Sequence, residues 1–333
     1  KAIMVDGKSV KDAPLNSDVE IILDRTPFYA EGGGQLPDGG LITLSNGAVI
    51  EIDDVQAPVP GLYVHRGQVI KGGVEVGEKV LAEIDRERRL AISRAHTATH
   101  MVHKAFREAL GETATQAGSE NSPGRFRFDF PAAGQVSDSA INEVESRVNT
   151  LLLEDWEVTA EIMSQDEEKK LGAMALFGEK YGDRVRVVSV GDWARELCGG
   201  THVARTGQLG LVKLLSESSI GAGVRRVEAL VGNDAYRFLA REHLLLNSVT
   251  DLIKGARSEE LPERISDLLD KLKTTEKELQ EFKVGKALAK AKELIAKKFE
   301  AGTSSAIVEE FDAGLSGDDL RAIAIDLRTK IGD

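Results

Sequence analysis

Cysteine, aromatic residues and long apolar runs are all scarce in this sequence. One of its 333 residues is cysteine, and 5% are aromatic. A single thiol excludes an internal disulfide, and scarce cysteine is typical of a reducing compartment, so a cytoplasmic location is predicted. No apolar run approaches the roughly 18 residues that a membrane-spanning helix requires, and no signal peptide pattern is visible. The sequence therefore predicts no membrane partner.

Positive charge is in the minority as well. Lysine and arginine number 43 against 55 acidic residues, which gives a net charge of -12. This balance argues against a general polyanion binder, so any nucleic acid would have to be held by local basic patches. The length is sufficient for two or three domains. Because the first residue is lysine and not methionine, we expect the chain to be a piece of a longer protein.

The single cysteine lies in the segment "ELCGGTH", where Cys198 precedes His202 by four residues. An isolated thiol is most often a small buried apolar group. It can also be a nucleophile or a metal ligand, since both roles use the thiolate. The nearby histidine favours a metal site, which would need further ligands elsewhere in the chain.

Further histidines lie in the segment "RAHTATHMVHKAFREAL", residues 94 to 110. Its apolar residues recur at helical spacing, which predicts an amphipathic helix. His96, His100 and His103 share the opposite face and are expected to look into solvent or a cleft. The i, i+4 spacing of His96 and His100 places both rings where they can converge on one ion.

Together the two pairs form a set of three imidazoles and one thiolate, which suits Zn²⁺. We therefore predict that His96, His100, Cys198 and His202 bind zinc. His103 is predicted not to be a ligand, because the two pairs already complete a tetrahedron. Thr97 stands where H-E-x-x-H metalloproteases have their general base, so a protease is disfavoured.

These motifs together resemble a known family. "HTATH", "CGGTH" and the upstream "DRTPFYAEGGGQLPDGG", in this order and with "RFRFDF" between the histidine pairs, look like the editing domain of alanyl-tRNA synthetases. The resemblance covers essentially the whole chain. It implies a fragment that lacks the class II aminoacylation domain and ends within a truncated C-terminal domain.

The predicted fold is α+β in three regions. Short strands with Asn-Gly turns in residues 1–90 indicate a small glycine-rich β-barrel. Residues 91–232 are predicted to form the zinc-containing editing core, an antiparallel sheet with helices that include residues 138–153 and one capped by Ser164. Residues 233–333 are predicted to be a helical coiled-coil region, with a helical hairpin, followed by the start of a truncated C-terminal domain. The residues with a/d spacing there are Ile265, Leu268, Leu272, Thr275, Leu279 and Phe282. Self-association through this helical region is a further prediction.

The resemblance implies an aminoacyl-tRNA deacylase that hydrolyses mischarged Ser-tRNA(Ala) and Gly-tRNA(Ala), with the acceptor end of tRNA(Ala) as partner. Zinc could activate water, polarise a carbonyl or orient the substrate. Cys198 as an acyl nucleophile is the rival mechanism. Two alternative functions are a freestanding AlaX-type trans-editing protein and a noncatalytic, zinc-stabilised tRNA-binding module.

Further site residues follow from position. Thr97 neighbours a predicted ligand and could hydrogen-bond the hydroxyl of a serine substrate. Gln116 lies in a segment that resembles the family's pocket wall, and both residues are predicted to act in catalysis or recognition. Residues predicted to contact tRNA are Gly32, Gly33, Gly34, Arg86, Arg88 and Arg89. The glycines allow close backbone approach, and the arginines can meet phosphate.

Overall fold

The computed structural model divides the chain into two compact units, residues 1–241 and 242–333. The structure describes residues 1–333 except 173, 175–181, 254, 256, 303, 312–314 and 332–333. Antiparallel sheets and helices follow one another along the first unit, as the predicted α+β class requires. This unit includes both regions that the sequence analysis separated at residue 90.

The chain begins with short strands, which form a sheet of seven strands and a separate pair. These strands are β1 (Ala2–Val5), β2 (Lys8–Val10), β3 (Asp12–Ala13), β4 (Asp18–Ile22), β5 (Gly40–Leu44), β6 (Val49–Val59), β7 (Leu62–Lys71), β8 (Val74–Glu75) and β9 (Val80–Ile84). The large sheet has the order β2-β1-β4-β7-β6-β5-β9, and β3 pairs with β8. Its two end strands, β2 and β9, are not paired with each other, so the predicted closed barrel is not found in residues 1–90. Strand β2 contains only three residues and offers little backbone for such a closing pair.

The strands of this sheet form because apolar and charged residues alternate along them. In β6, Ile50 and Ile52 are buried whereas Glu51 and Asp53 are exposed. This period of two places the isoleucines on one face, where they join the first hydrophobic core. Gly47 takes a positive φ of 84° in the turn between β5 and β6, which agrees with the predicted Asn-Gly turn.

Helix α1 (Arg86–Leu110) connects the sheet to the rest of the unit. It begins earlier than the apolar pattern predicts, because Asp85 caps it and accepts a hydrogen bond from the Arg88 backbone N–H at 3.0 Å. Met101 and Phe106 of α1 are fully buried in the second hydrophobic core. The apolar side of α1 thus packs into this core, and another side of the same helix bears the histidines.

Two antiparallel sheets contact α1, where one was expected from the sequence. The elements are β10 (Gly118–Ser122), β11 (Arg125–Pro131), α2 (Asp138–Leu153), β12 (Val158–Ser164), α3 (Gln165–Leu171), β13 (Arg184–Val190), β14 (Ala194–Leu197), a 3₁₀ turn (Thr206–Leu209), β15 (Val212–Gly221) and β16 (Val224–Val231). One sheet has the order β10-β11-β16-β15 and the other β12-β13-β14. The predicted helix over 138–153 and the Ser164 cap are confirmed.

The alternating "RFRFDF" strand is β11, and its three phenylalanines are buried as predicted. Asp129 on the same strand is buried too, because Arg226 of β16 donates to it from Nε at 2.7 Å. Pairing with Arg226 thus compensates the burial of this carboxylate, which alternation alone places on the exposed face.

The second unit is mainly helical. Its elements are the end of α4 (Asn233–Leu252), a 3₁₀ turn (Ser258–Glu260), α5 (Leu261–Ile295), β17 (Phe299–Ala301), β18 (Ser304–Ala306) and α6 (Gly317–Ile331). Helix α5 packs against α6. The apolar stripe of α5 is exposed, with Leu268 at 54% and Leu272 at 55% of full accessibility. Within the described part of this unit, no helix covers that stripe. Across all the described ranges, no helix has the length and apolar character that crossing a bilayer would need.

Candidate metal centre

The structure brings the four predicted zinc ligands together at one buried point. His96 and His100 lie one turn apart on α1, and Cys198 and His202 lie in the loop that follows β14. One ligand atom from each residue lies within 4.8 Å of all the others. Cys198 Sγ is 3.3 Å from His96 Nε2 and 3.4 Å from His202 Nε2. The fold therefore joins two pairs that lie about a hundred residues apart in sequence.

The Gly-Gly-Thr turn has the shape that this convergence requires. A Cβ atom on Gly200 would lie 2.2 Å from the His96 ring, so only glycine fits there. The backbone of the turn is held by Arg186 of β13, whose guanidinium donates to the carbonyls of Cys198 and Gly200 at 2.7 and 2.9 Å. The turn therefore fixes the Cys198 backbone and leaves room for the imidazole.

The donor atoms suit a metal ion. His100 Nε2 is buried and has no hydrogen-bond partner among the described residues. Burial of Cys198 opposes ionisation of its thiol, but the charges of His96 and His100 and hydrogen bonds to the surrounding rings hold its pKa well below the usual value. The thiolate and the ring nitrogens are ligands that Zn²⁺ prefers. The residues present therefore fit this ion.

His202 is held in its neutral form. Its burial, with the charge of His96 as the next cause, lowers its pKa to about 3. A neutral imidazole keeps one ring nitrogen free of its proton, which metal binding requires. The electrostatic environment of this ring is thus compatible with a ligand role.

The histidine-bearing face of α1 is covered, and the expectation that it faces solvent or a cleft is wrong. His96, His100 and His103 are at most 3% exposed. The period of the helix correctly separated this face from the apolar stripe, but it contained no information on what packs over it. His103 lies outside the metal-binding group. Its Nδ1 is 2.8 Å from a carboxylate oxygen of Glu196, and its ring contacts Phe128.

Each of the three candidate histidine ligands has its Nδ1 atom against another side chain. His96 Nδ1 is 2.8 Å from Gln35 Oε1, and His202 Nδ1 is 3.1 Å from Thr97 Oγ1. His100 Nδ1 pairs with the buried carboxylate of Glu196. These contacts leave the Nε2 atoms of His96 and His202 against Cys198 Sγ and His100 Nε2 without a partner among the described residues. Outer partners orient the ligands of metal sites in this way.

Gln35 and Glu196 were not predicted as site residues. Glu196 lies on β14, and Cys198 follows two residues later in the loop after this strand, so Glu196 was near the predicted ligands in sequence. Burial opposes ionisation of Glu196, yet the charges of His100 and His103 hold its pKa well below the usual glutamate value. Gln35 gave no comparable signal, because its position after three glycines does not reveal what it contacts.

The loop that contains Gly32, Gly33 and Gly34, here called the glycine loop, packs against β10. Gly34 has a φ of 76°, and a Cβ atom there would lie 2.5 Å from two oxygens of Ser119. The Asn121 backbone N–H donates to the Gly34 carbonyl at 2.7 Å. Gly33 also has a positive φ, whereas Gly32 does not. At Gly34, the absence of a side chain is thus required by protein packing.

Thr97 and Gln116 occupy different surroundings. Thr97 is fully buried, and its hydroxyl accepts a hydrogen bond from the Val203 backbone N–H at 3.3 Å in addition to its contact with His202. Gln116 is partly buried and donates to Ser119 Oγ at 3.1 Å. Since Ser119 also touches the glycine loop, Gln116 lies beside that loop.

The predicted arginine cluster is split by its contacts. Arg86 is exposed on the first turn of α1. Arg88 donates from Nε to the Pro37 carbonyl at 3.2 Å. Arg89 binds the fully buried carboxylate of Asp38 with two of its nitrogens, and its Nε–Oδ1 distance is 2.8 Å. Arg88 and Arg89 therefore anchor the segment that bears the glycine loop.

Comparison with known families gives two matches. The family described as "Threonyl and Alanyl tRNA synthetase second additional domain" matches residues 185–228, which include Cys198 and His202. The family described as "tRNA synthetases class II (A)" matches residues 1–88. Residues 1–90 were predicted to be a glycine-rich subdomain of a chain that lacks the class II domain, and the match of residues 1–88 to a class II family departs from that prediction.

Curated relatives match along the whole chain. An alanine–tRNA ligase of Nocardioides sp. is 60% identical over 331 residues, which are 99% of this chain and 37% of that protein. The alanine–tRNA ligases of Acidothermus cellulolyticus and Streptomyces avermitilis are 57% and 55% identical over 100% and 99% of the chain, and again 37% of their own lengths. The predicted resemblance is confirmed, and the chain spans 37% of the length of these relatives.

Proposed function

Because the chain is related along its whole length to alanine–tRNA ligases, we propose that it is an editing segment that hydrolyses mischarged Ser-tRNA(Ala) and Gly-tRNA(Ala). The observation that carries this proposal is the buried group of three histidines and one cysteine on the "HTATH" and "CGGTH" motifs. The match of residues 185–228 to a domain shared by threonyl and alanyl synthetases supports it. A single cysteine engaged in such a centre also suits the proposed cytoplasmic setting.

We propose Zn²⁺ as the ion, held by His96, His100, Cys198 and His202. When bound, zinc supplies Lewis acidity that can lower the pKa of a water or polarise a carbonyl. The residues of the chain then have the tasks of fixing the ligands, excluding water from the buried ring nitrogens and holding the ester. Gln35, Thr97 and Glu196 fix the ligands through their contacts with the Nδ1 atoms.

Substrate contacts are proposed for the rim of this centre. Gln116 and the glycine loop meet at Ser119, and we propose that they receive the aminoacyl ester and the acceptor end of tRNA(Ala). Arg86, the exposed member of the arginine cluster, is proposed to approach tRNA phosphates, whereas Arg88 and Arg89 are engaged by Pro37 and Asp38. Self-association through the exposed stripe of α5 is a separate proposal, which sedimentation of the native chain and a Leu268→Glu, Leu272→Glu variant would test.

Thr97 has two candidate roles that one substitution separates. As a substrate contact, its hydroxyl would pair with the serine hydroxyl, so Thr97→Val would reduce the preference for Ser-tRNA(Ala) over Ala-tRNA(Ala) by roughly 1–3 kcal/mol and leave zinc content unchanged. As the partner of His202 Nδ1, it would instead affect zinc affinity and leave the ratio of the two deacylation rates unchanged. Both quantities can be measured on the same preparation.

The main test is a deacylation assay with Ser-tRNA(Ala), Gly-tRNA(Ala) and Ala-tRNA(Ala). The native chain should hydrolyse the first two and spare the third. His202→Ala should lose both zinc and this activity, whereas the matched control His243→Ala removes an exposed histidine outside the centre and should retain both. A native chain that contains zinc and binds tRNA but deacylates none of the three would contradict the proposal.

That negative result would favour the alternative of a noncatalytic, zinc-stabilised tRNA-binding module. One observation supports this alternative. Three histidines and one cysteine lie close enough together to hold one ion, and four protein ligands would complete the closed coordination that is typical of structural zinc sites. Chelation followed by measurement of stability and hydrolysis distinguishes the two functions. An editing segment would lose both properties on chelation, whereas the tRNA-binding module would lose stability and would show no hydrolysis before or after chelation.

A further inference from the structure

The side chain of Gln35 lies between the glycine loop and the candidate metal centre. It is fully buried, and its Oε1 atom is 2.8 Å from His96 Nδ1. The two residues are 61 positions apart in sequence. Gln35 therefore belongs to the part of the chain that precedes α1, whereas the four candidate ligands all lie on α1 or on the loop after β14.

The contacts of Gln35 fix which end of its carboxamide faces the histidine. The Thr201 backbone N–H donates to Oε1 at 2.8 Å, and Gln35 Nε2 donates to Thr201 Oγ1 at 2.9 Å. A backbone N–H can act only as a donor, so the atom that it meets must be the carbonyl oxygen. That same oxygen faces His96 Nδ1, and this ring nitrogen must therefore carry the proton.

This arrangement determines the tautomer of His96. With its proton on Nδ1, the neutral ring has its lone pair on Nε2. His96 Nε2 is the atom that lies 3.3 Å from Cys198 Sγ. Gln35 thus presents the ligand-competent face of His96 to the centre, while Thr201 keeps the carboxamide from rotating.

The backbone of Gln35 is fixed as firmly as its side chain. Its N–H donates to the Gly32 carbonyl at 2.9 Å, and the next residue, Leu36, donates to the Asn121 carbonyl at 3.1 Å. The carboxamide is therefore held by the turn of the glycine loop and by β10 before any ion is present. Such preorganised outer partners typically change metal affinity 10- to 100-fold.

We propose that Gln35 is a positioning residue that sets the metal affinity of the centre by holding His96 as its Nδ1–H tautomer. The inference rests on the metal centre of the proposed function and assigns to the glycine loop a task beyond contact with tRNA. Gln35 Oε1 meets the Nδ1 atom of His96, whereas Nε2 of the same ring lies against Cys198 Sγ, so Gln35 is not one of the four candidate ligands.

Three substitutions test this role. Gln35→Met has similar length and no acceptor, Gln35→Asn keeps the carboxamide but withdraws it, and Gln35→Glu keeps an acceptor oxygen in place. The control Gln116→Met removes a carboxamide that touches no candidate ligand. Zinc affinity is measured by competition with a chelator, the ligand set by the absorption spectrum of the Co²⁺-loaded protein, and the fold by thermal unfolding of the metal-free protein.

We expect Gln35→Met and Gln35→Asn to bind zinc about 10- to 100-fold more weakly. Gln35→Glu should bind close to the native value, and the Co²⁺ spectrum should still report three nitrogens and one sulfur. If Gln35→Asn binds zinc with the affinity of the native chain, the inference is overturned. This test does not depend on whether Gln35→Met folds. An equal loss in Gln116→Met overturns it as well. A native chain that binds no zinc overturns the metal centre of the proposed function, and this inference with it. A native chain that binds zinc, with unchanged affinity in the Gln35 variants, overturns this inference alone.

Discussion

The two units of this chain treat polar and apolar side chains in opposite ways. In residues 1–241, charged groups such as Asp38 and Glu196 are buried and meet partners far away in sequence. In residues 242–333, Leu268 and Leu272 are exposed, and ion pairs such as Lys277–Glu281 join neighbouring turns of one helix. Tertiary contacts therefore determine the first unit, whereas local helical contacts determine much of the second.

This contrast between the two units shows where a site can be built. Catalytic and metal-binding groups must be held by partners whose own positions are fixed by packing. The first unit meets this condition because one of its hydrophobic cores holds the helix that bears the histidines. The exposed stripe of α5 offers area for association but no side chain fixed from several directions. We therefore expect substitutions to have large effects in the first unit and small effects in the second.

The largest expected effect comes from the core beneath the histidines. Phe128 is fully buried and contacts the rings of Phe106, Phe130 and His103. Phe128→Ala should lower the free energy of unfolding of the first unit by roughly 3–5 kcal/mol, because it removes apolar contacts and leaves a cavity. Leu268→Ala in α5 is the matched control and should change stability little, and a comparable loss there would show that the stripe is covered in solution. Chemical denaturation followed by far-UV circular dichroism measures both.

Loss of the ion pair between Arg89 and Asp38 is expected to cause the next-largest decrease in the free energy of unfolding. Arg89→Met leaves the fully buried carboxylate of Asp38 without its guanidinium, and the loss of one partner of such a pair costs roughly 3–5 kcal/mol. Lys277→Met removes one partner of the exposed pair on α5 and should have no measurable effect on stability. Equal stability of Arg89→Met and the native chain would mean that the pair does not hold the segment before α1.

The particular residues of the centre show how far sequence alone can reach. His96 and His100 could be paired from sequence because helical spacing is a local property, and Cys198 and His202 because four residues span one tight turn, and the structure brings all four together. Gln35 could not be found this way, since it meets His96 across 61 positions. The prediction of a closed barrel was wrong for the same reason, because the sequence pattern of a strand does not indicate whether the first and last strands of a sheet pair. Burial of the histidines likewise depends on segments that the helix pattern does not contain.

Removal of the metal should act on one unit only. A ligand that binds the folded state alone stabilises it by about 2.7 kcal/mol when it is present at 100 times its dissociation constant. Chelation of the zinc-loaded chain should therefore lower the unfolding temperature of the first unit and leave that of the second unchanged. Calorimetry of the native chain and of Cys198→Ala, with and without chelator, measures the difference. A chelator effect that persists in Cys198→Ala would place the stabilising ion elsewhere.

The smallest effect concerns Arg86, the exposed member of the arginine cluster. If its guanidinium meets a tRNA phosphate, Arg86→Ala should reduce the slope of log K against log salt concentration by about 0.7–0.9, the contribution of one phosphate contact. Arg89 already binds Asp38, so Arg89→Met should weaken the fold without changing that slope in the folded fraction. Arg321→Ala removes an exposed arginine from the second unit and serves as the charge-matched control. Filter binding of tRNA(Ala) at several salt concentrations gives all three slopes. An unchanged slope in Arg86→Ala would remove it from the tRNA surface, and a reduced slope in folded Arg89→Met would return that residue to it.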